Sequence, residues 1–470
     1  MTCVAMGSLP YYDWLKSQRP LPVEGYPFQQ AAVNDLAPHD RLALYFDVGT
    51  GKTYTSIFIA LAKLHAGWID KVVVVVPPVL IPNWSRTIAK FQGTTQTVYM
   101  GTPTQRKLIK LDGQFIIVGV QILKKDYASL QSKLGSNKLF VIVDEAQMLK
   151  NPASGNFKTI NDMAYEQQLC LLTGTPLSVP TDAYAYIKLV TPGIYKSQYQ
   201  FESIHVEERD FWEKPKKYAN LEMLNKNLML QAHRVLKEDV LLDLPELTYT
   251  PLYYDLDPKH LKLYRTLAEE QMAKLSDGNK IDLTNASALF QALQQVPCNS
   301  EHFSEGAVTS TVLDLIDTVL DELGGKKLVI FCHYRMTTTR LLEYLKPHNA
   351  VALFGGTAAN QRQANIDKFV RDPKCKVIIL QHKSGGSGID ELQHVCSDIL
   401  MVELPYRASD LRQAIARVHR DGQRSAVNVR LAIALSTLQV RLWEYLQDND
   451  SLVNTVIRGP QDIREALAGR

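Results

Sequence analysis

Between residues 42 and 193 the chain alternates short apolar runs with longer stretches of helical periodicity. The pattern predicts strands at Leu42–Phe46, Lys71–Val76, Phe115–Val120, Leu139–Val143 and Leu169–Leu172. These runs are apolar throughout instead of alternating with polar residues, so both faces of each strand need cover. A parallel sheet with helices on either side meets that need, and ligands of such folds gather at the C-terminal strand ends. From residue 306 the alternation returns, with strands expected at Leu328–Cys332, Ala350–Phe354, Val377–Leu380, Ile399–Glu403 and Val427–Ile433. The fold class is therefore α/β, with two parallel-sheet domains. Residues 194–305 break the pattern: Leu261, Tyr264, Leu267 and Ala268 recur at helical spacing, and aromatic residues mix with charge at Phe211-Trp212-Glu213-Lys214-Pro215-Lys216-Lys217-Tyr218. A mostly helical insertion is expected there, giving domains at 1–193, 194–305 and 306–447 and a polar tail at 448–470.

Composition changes this picture little. A chain of 470 residues has room for two or three domains, and 46% hydrophobic with 21% charged residues is ordinary for a globular protein. The net charge of +3 does not by itself argue for nucleic acid, so a DNA partner would need a local basic surface. Six cysteines, none in a C-x-x-C pair, point to reduced buried thiols and away from a disulfide framework or a zinc site. Residues 1–20 lack a basic region followed by an apolar core, and no apolar run reaches membrane-spanning length. A soluble, cytoplasmic protein without a membrane partner is expected.

The candidate chemistry lies at the predicted strand ends. Asp47-Val48-Gly49-Thr50-Gly51-Lys52-Thr53 follows the first strand, and Ile57, Ala60, Leu61 and Leu64 then recur at helical spacing. Strand, glycine-rich turn and a helix opening on Lys-Thr form the context of a phosphate-binding loop. Lys52 would reach the β- and γ-phosphates and the Thr53 hydroxyl would sit on Mg²⁺. The strict pattern wants glycine where Phe46 stands, and an ordinary βα turn can also carry glycines. Upstream, Gln29 in Gly25-Tyr26-Pro27-Phe28-Gln29 could read adenine, because its amide both donates and accepts; alone it would be a surface glutamine. Asp144-Glu145-Ala146-Gln147 follows another strand. Asp144 would hold Mg²⁺ and Glu145 would polarise an attacking water, whereas a helix N-terminus with acidic residues is the bland reading. Thr173-Gly174-Thr175-Pro176 is a turn with two hydroxyls that could sense the γ-phosphate.

The second domain has no such loop. It carries Lys383-Ser384-Gly385-Gly386-Ser387-Gly388-Ile389, whose backbone amides could face a nucleic-acid phosphate. Further on, Gln413, Arg417 and Arg420 are spaced four and three apart, which predicts one shared helical face. Two arginines there could clamp a triphosphate, or simply decorate a solvated surface.

In this order the segments resemble superfamily-two helicase-like ATPases, specifically the Swi/Snf family of DNA translocases. GYPFQQ is similar to the family's adenine-reading segment, DVGTGKT to motif I, VVVVVPPVLIPNW to motif Ia, VDEAQMLKN to motif II and LTGTPL to motif III. HRVLKEDVLLDLPEL resembles the segment leading out of the family's helical protrusion; LVIFCHY, SGGSGIDEL and QAIARVHRDGQ resemble motifs IV, V and VI. The Asp-Gly-Gln ending, Lys150-Asn151 and the Leu-Pro at 244–245 are the most family-specific. Departures stand at Ser85-Arg86-Thr87, where an acidic residue is common, at Gln147 in place of His, and at Glu403 and Tyr406 in place of Asp and Trp.

The resemblance implies two RecA-like domains that close on ATP and Mg²⁺. It implies catalytic roles for Lys52, Asp144, Glu145, Arg417 and Arg420, and metal binding by Thr53 and Asp144. ATP contacts would come from Gln29, Gly49, Thr50, Gly51, Lys52, Thr53, Gln147, Gly388, Arg417 and Arg420. Thr173, Thr175 and Gln413 would couple the domains, while Pro78, Asn83, Ser384, Gly385 and Gly386 would contact DNA. The implied activity is an ATP-dependent DNA translocase or helicase, DNA-dependent in its turnover, that remodels forks and junctions by branch migration. It resembles small viral or bacterial members, is without room for the modules of large chromatin remodellers, and is expected to act as a monomer beside replication, repair or recombination proteins. Two alternatives stay open: an RNA-directed helicase, and an ATP switch that never separates strands.

Overall fold

The computed structural model describes residues 9–210, 213, 215–240, 243–276, 291–300, 311–355, 357–382 and 391–447. The chain divides into two compact units, the first running to Leu242 and the second starting at Asp243.

The first unit is built on seven strands: β1 (Arg41–Phe46), β2 (Lys71–Val76), β3 (Gln96–Tyr99), β4 (Phe115–Gly119), β5 (Leu139–Asp144), β6 (Gln168–Leu172) and β9 (Ala232–Val235). Their order across the sheet is β3-β4-β2-β5-β6-β1-β9, and every pairing is parallel. The five valines of β2 show why. Val73 and Val75 enter one hydrophobic core, while Val72, Val74 and Val76 enter another on the opposite face. β1 divides the same way, with Ala43 and Tyr45 on one side and Leu42, Leu44 and Phe46 on the other. Burying one such side chain is worth about 1.5–3 kcal/mol, so a strand that feeds two cores resists any rearrangement exposing either face. An antiparallel ribbon, β7 (Val206–Arg209) with β8 (Pro215–Tyr218), stands apart from the sheet.

The second unit repeats the plan with six strands: β10 (Leu247–Tyr254), β11 (Leu328–Cys332), β12 (Val351–Leu353), β13 (Val377–Gln381), β14 (Asp398–Met401) and β15 (Val427–Ala434). Their order is β10-β15-β14-β11-β13-β12, and every pairing is parallel. Val329 and Phe331 face one core; Leu328, Ile330 and Cys332 face the other.

Each strand expected from the sequence is present, with ends shifted by no more than two residues. The stretch 194–305 differs from expectation. It is not one separate body, because β9 joins the first sheet beside β1 and β10 joins the second beside β15. Helices accompany them at Gln198–His205, Leu221–Leu228 and Pro258–Ser276. Pro251 is tolerated in β10 because that strand is an edge, where a missing N–H breaks no ladder bond. Cys170, Cys298, Cys332, Cys375 and Cys396 are free and buried, as expected; Cys3 lies outside the described residues. Among the described residues no helix is long and apolar enough to cross a membrane.

One buried charge sits at the far end of helix Lys52–His65. The Lys63 ammonium donates to the His39 carbonyl at 2.9 Å and to Gln168 Oε1 at 2.7 Å, with the rings of Trp68 and Phe140 at 5.5 and 5.3 Å. Burial lowers it from 10.5 to about 8. The unfolded chain therefore binds more protons between those two values, and stability rises with pH across that window. Below it the ammonium is charged in both states and the cost of burying it is fully present. The gap in unfolding free energy between wild type and Lys63→Met, from urea unfolding monitored at increasing pH, will shift toward the wild type from about pH 8 to 10.5. A gap independent of pH would contradict this account.

Candidate active site

The first unit gathers its chemistry at the C-terminal ends of four adjacent strands, β5, β6, β1 and β9. The loop after β1 runs through Gly49 and Gly51, at φ of 90° and 85°, into helix Lys52–His65. A side chain at Gly51 would meet that left-handed penalty, about 1–2 kcal/mol. Lys52 Nζ donates to the carbonyls of Phe46 at 2.8 Å and Asp47 at 3.2 Å. Burial lowers its ammonium below the usual lysine range, and the carboxylates of Glu145, Asp144 and Asp47 oppose that shift. Phe46, standing where the strict loop pattern has glycine, ends β1 with its ring in the core. Only its backbone carbonyl reaches Lys52, so the loop does not require a glycine there.

Asp144 ends β5 and is buried. Its Oδ2 accepts from Trp84 Nε1 at 2.8 Å and its Oδ1 from the Glu145 N–H at 2.8 Å. Burial and the neighbouring Glu145 carboxylate push the Asp144 carboxyl up from its usual range. Glu145 itself has a φ of 53°, which a non-glycine residue holds only at a cost of about 1–3 kcal/mol. Gln147 Nε2 donates to Glu145 Oε2 at 2.6 Å, while Gln147 Oε1 accepts from Thr173 Oγ1 at 3.0 Å. Thr173 Oγ1 in turn accepts from the Thr175 N–H at 3.1 Å. A glutamine suits this post because its amide donates at one end and accepts at the other. Gly174, between the two threonines, lies so close that an added Cβ would stand 3.1 Å from Val48 Cγ2 and 3.2 Å from the Phe46 carbonyl.

Gln29 is buried against the loop. Its Nε2 donates to the Thr50 carbonyl at 3.1 Å and its Oε1 accepts from the Tyr26 N–H at 2.9 Å. Each end of the amide has one further bonding position for a ligand edge. Pro78, exposed, opens the short turn after β2, and Asn83 follows, half-buried, in helix Ile81–Ala89. Ser384, Gly385, Gly386 and Gly388 lie outside the described residues, as do Phe211, Trp212 and Lys214.

Gln413, Arg417 and Arg420 belong to the second unit, and their expected common helical face is not what the chain adopts. Helix Ala408–Ile415 holds Gln413 but ends before both arginines. Gln423 braces the turns that follow the helix. Its Nε2 donates to the carbonyls of Val418 at 3.2 Å and Cys396 at 2.9 Å, and its Oε1 accepts from the N–H groups of Arg424 and Ser425. The Val418 carbonyl, three residues past the helix end, is thus held by a side chain, and Gly422 has a φ of 87°. In the same unit, past the other end of β14, the buried Glu403 carboxylate accepts from the N–H groups of His333 and Tyr334 at 2.8 and 2.9 Å, and burial raises it to about 7.

Comparison with known proteins gives this geometry a family. Residues 40–302, more than half of the chain, match the SNF2-related domain, and residues 310–422 match the helicase conserved C-terminal domain. The chain belongs to the SNF2-related domain family. An "Uncharacterized ATP-dependent helicase" of Mycoplasma pneumoniae is 24% identical over 90% of this chain and 40% of its own length. The mouse "DNA annealing helicase and endonuclease ZRANB3" is 24% identical over 99% of this chain and 44% of its own length. The chain thus spans less than half the length of these curated relatives. Among solved structures, the "Sulfolobus solfataricus SWI2/SNF2 ATPase core in complex with dsDNA" is 22% identical, with 93% of this chain and 96% of that chain covered and a TM-score of 0.44. The protein thus carries two parallel-sheet units and belongs, by its matched domain, with SNF2-related proteins.

In such a protein the donor set suits Mg²⁺. Thr53 offers a hydroxyl and Asp144 a carboxylate, both hard oxygens, and Mg²⁺ is commonly held by one or two protein oxygens together with substrate phosphates. Among the described residues no group of three or more His, Cys, Asp or Glu forms a dedicated metal cage. Two contributors escaped the sequence reading. Arg234, on β9, donates to Asp47 Oδ1 in the loop at 2.7 Å. Trp84, although within the resembling motif Ia, carried no sign that its indole holds the Asp144 carboxylate. Trp84→Phe keeps most of the packing and removes that donor. The Mg²⁺ concentration for half-maximal ATP turnover is expected to rise by about 10–100-fold, as for other residues that hold a metal ligand in place. An unchanged Mg²⁺ titration would show that the bond does not orient Asp144.

Proposed function

We propose that this SNF2-related protein hydrolyses ATP with Mg²⁺ and uses the cycle to move along DNA. The observation that carries the reading is the line Glu145–Gln147–Thr173–Thr175, which starts beside Lys52 and Asp144. Glu145 is the base that orients and polarises the attacking water; Lys52 and the loop amides at 49–53 neutralise the β- and γ-phosphates. Asp144 and Thr53 hold Mg²⁺, which neutralises charge on the phosphates when bound. Gln29 recognises adenine with the remaining positions of its amide. A change at the γ-phosphate alters the partner of Glu145, and the threonine turn passes that change on through Gln147.

Arg417 and Arg420 of the second unit supply cations to the triphosphate on closure. Gln413 takes part in the same coupling. DNA phosphates contact Pro78 and Asn83 in the first unit and Ser384, Gly385 and Gly386 in the second. The relative named as a DNA annealing helicase supports DNA as the track; the proposed outcome is the remodelling of forks and junctions. The Asp-Gly-Gln ending of the arginine segment supports DNA over RNA.

ATP turnover on linear, forked and four-way DNA and on RNA, with strand displacement followed in parallel, tests the reading. DNA will stimulate turnover and RNA will not; stimulation by RNA alone, or turnover without any moved strand or obstacle, would overturn the translocase assignment. Lys52→Ala will abolish hydrolysis on every track. Arg420→Ala will still bind nucleotide while losing about 10³-fold or more of the DNA-stimulated rate, the scale of an arginine finger. Wild-type stimulation in that variant would remove Arg420 from the site.

A further inference from the structure

Arg234 makes contacts that a merely structural surface arginine has no reason to make. It comes from β9, the edge strand beside β1, and its side chain is largely buried. Nη1 donates to the Tyr45 carbonyl at 2.5 Å and to the Gly174 carbonyl at 3.2 Å, and Nη2 donates to Asp47 Oδ1 at 2.7 Å. One guanidinium therefore joins the end of β1, the phosphate loop and the threonine turn. A planar fork with several fixed donors can do this; the single ammonium of a lysine cannot match the geometry.

Asp47 is the pivot. Its other carboxylate oxygen accepts from the Lys237 N–H at 3.0 Å, and its own N–H donates to the Val235 carbonyl at 3.0 Å. Its carbonyl faces the other way and accepts from Thr50 N at 3.3 Å, Thr50 Oγ1 at 2.8 Å and Lys52 Nζ at 3.2 Å. One side of the residue is bound to β9 and the turn after it; the opposite side shapes the loop and places Lys52. The Gly174 carbonyl brings in the turn whose Thr173 holds Gln147, and through it Glu145. The segment that carries Arg234, Val235 and Lys237 then runs on into the second unit at Asp243.

We propose that Arg234 is a positioning residue for ATP hydrolysis, tying the phosphate loop and the Thr173–Thr175 turn to the segment that continues into the second unit. The proposal rests on the ATP-hydrolysing reading above. Through this tie, the shape of the loop depends on where that segment lies, so movement of the segment reaches Lys52 and Glu145 without any new contact to nucleotide. The Arg234–Asp47 pair acts as a unit, and losing either member is expected to cost what losing both costs.

The test uses the full chain with Arg234→Gln, Asp47→Asn, the double variant and Arg234→Lys. Hydrogen exchange at the Asp47 and Thr50 amides needs no activity and reads the tie directly; it is expected to quicken by about tenfold or more in Arg234→Gln. ATP affinity is expected to change less than about threefold while kcat falls about 10–100-fold, the scale of a small misplacement of reacting groups. The double variant should fall no further than either single one, and Arg234→Lys should recover little. Asp47→Asn keeps the volume and serves if Arg234→Gln does not fold. Wild-type exchange at both amides together with wild-type kcat, or losses that add in the double variant, would overturn the proposal. A wild-type chain without ATP turnover would instead overturn the proposed function, and the exchange measurement alone would then decide the role of Arg234.

Discussion

The structure depends on strands that are covered on both faces. Alternate residues of β2, β1 and β11 enter opposite cores, so neither face of these strands is open to solvent or to a ligand. Polar chemistry can then appear only where the strands end. The order β5-β6-β1-β9 does the rest, setting four loops side by side although they are far apart in sequence. Asp144, Thr173, Lys52 and Arg234 meet because the apolar pattern leaves them no other place.

The resulting site holds charges in balance instead of in isolation. Burial disfavours the ammonium of Lys52 and the carboxylate of Asp144 alike, yet each charge favours the other. Backbone strain is present as well, at Glu145, the residue closest to the proposed chemistry. Its side chain is steadied by the amide of Gln147, whose second end reaches the turn after β6. Such a site is preorganised for a charged ligand and costs stability without one, which is the usual balance where function overrides packing.

The long apolar runs were legible because continuous valine and isoleucine leave few alternatives to a covered strand. Beside the separate ribbon β7–β8, the strands that escaped in the two large sheets, β3, β9 and β10, are short, mixed in polarity or interrupted by proline: Gln96-Thr97-Val98-Tyr99, Ala232-His233-Arg234-Val235 and the run containing Pro251. All three are edges, where one side needs no ladder partner and the pattern is correspondingly weak. The phosphate loop, the acidic pair and the threonine turn were legible from local spacing. Arg234 and Trp84 were not, since each acts on a residue more than fifty positions away and nothing local marks the partner. The arginine segment misled for a related reason. Spacing of four and three suits a helix, but the helix that holds Gln413 ends at Ile415, and Gln423 braces the turns beyond it through the Val418 carbonyl. The Asp-Gly-Gln ending that carried the family resemblance thus has a structural duty of its own.

The central claim is that the ends of β5, β6 and β1 form a hydrolytic site with Glu145 as its base. Glu145→Gln tests it most directly, because the amide keeps the size of the side chain and removes only its basicity. Nucleotide binding, followed with a fluorescent ATP analogue, should remain near that of the wild type, while ATP turnover should fall by about 10²–10⁴-fold, the usual worth of a positioned general base. Turnover at the wild-type rate with binding intact would contradict the account and move the chemistry elsewhere.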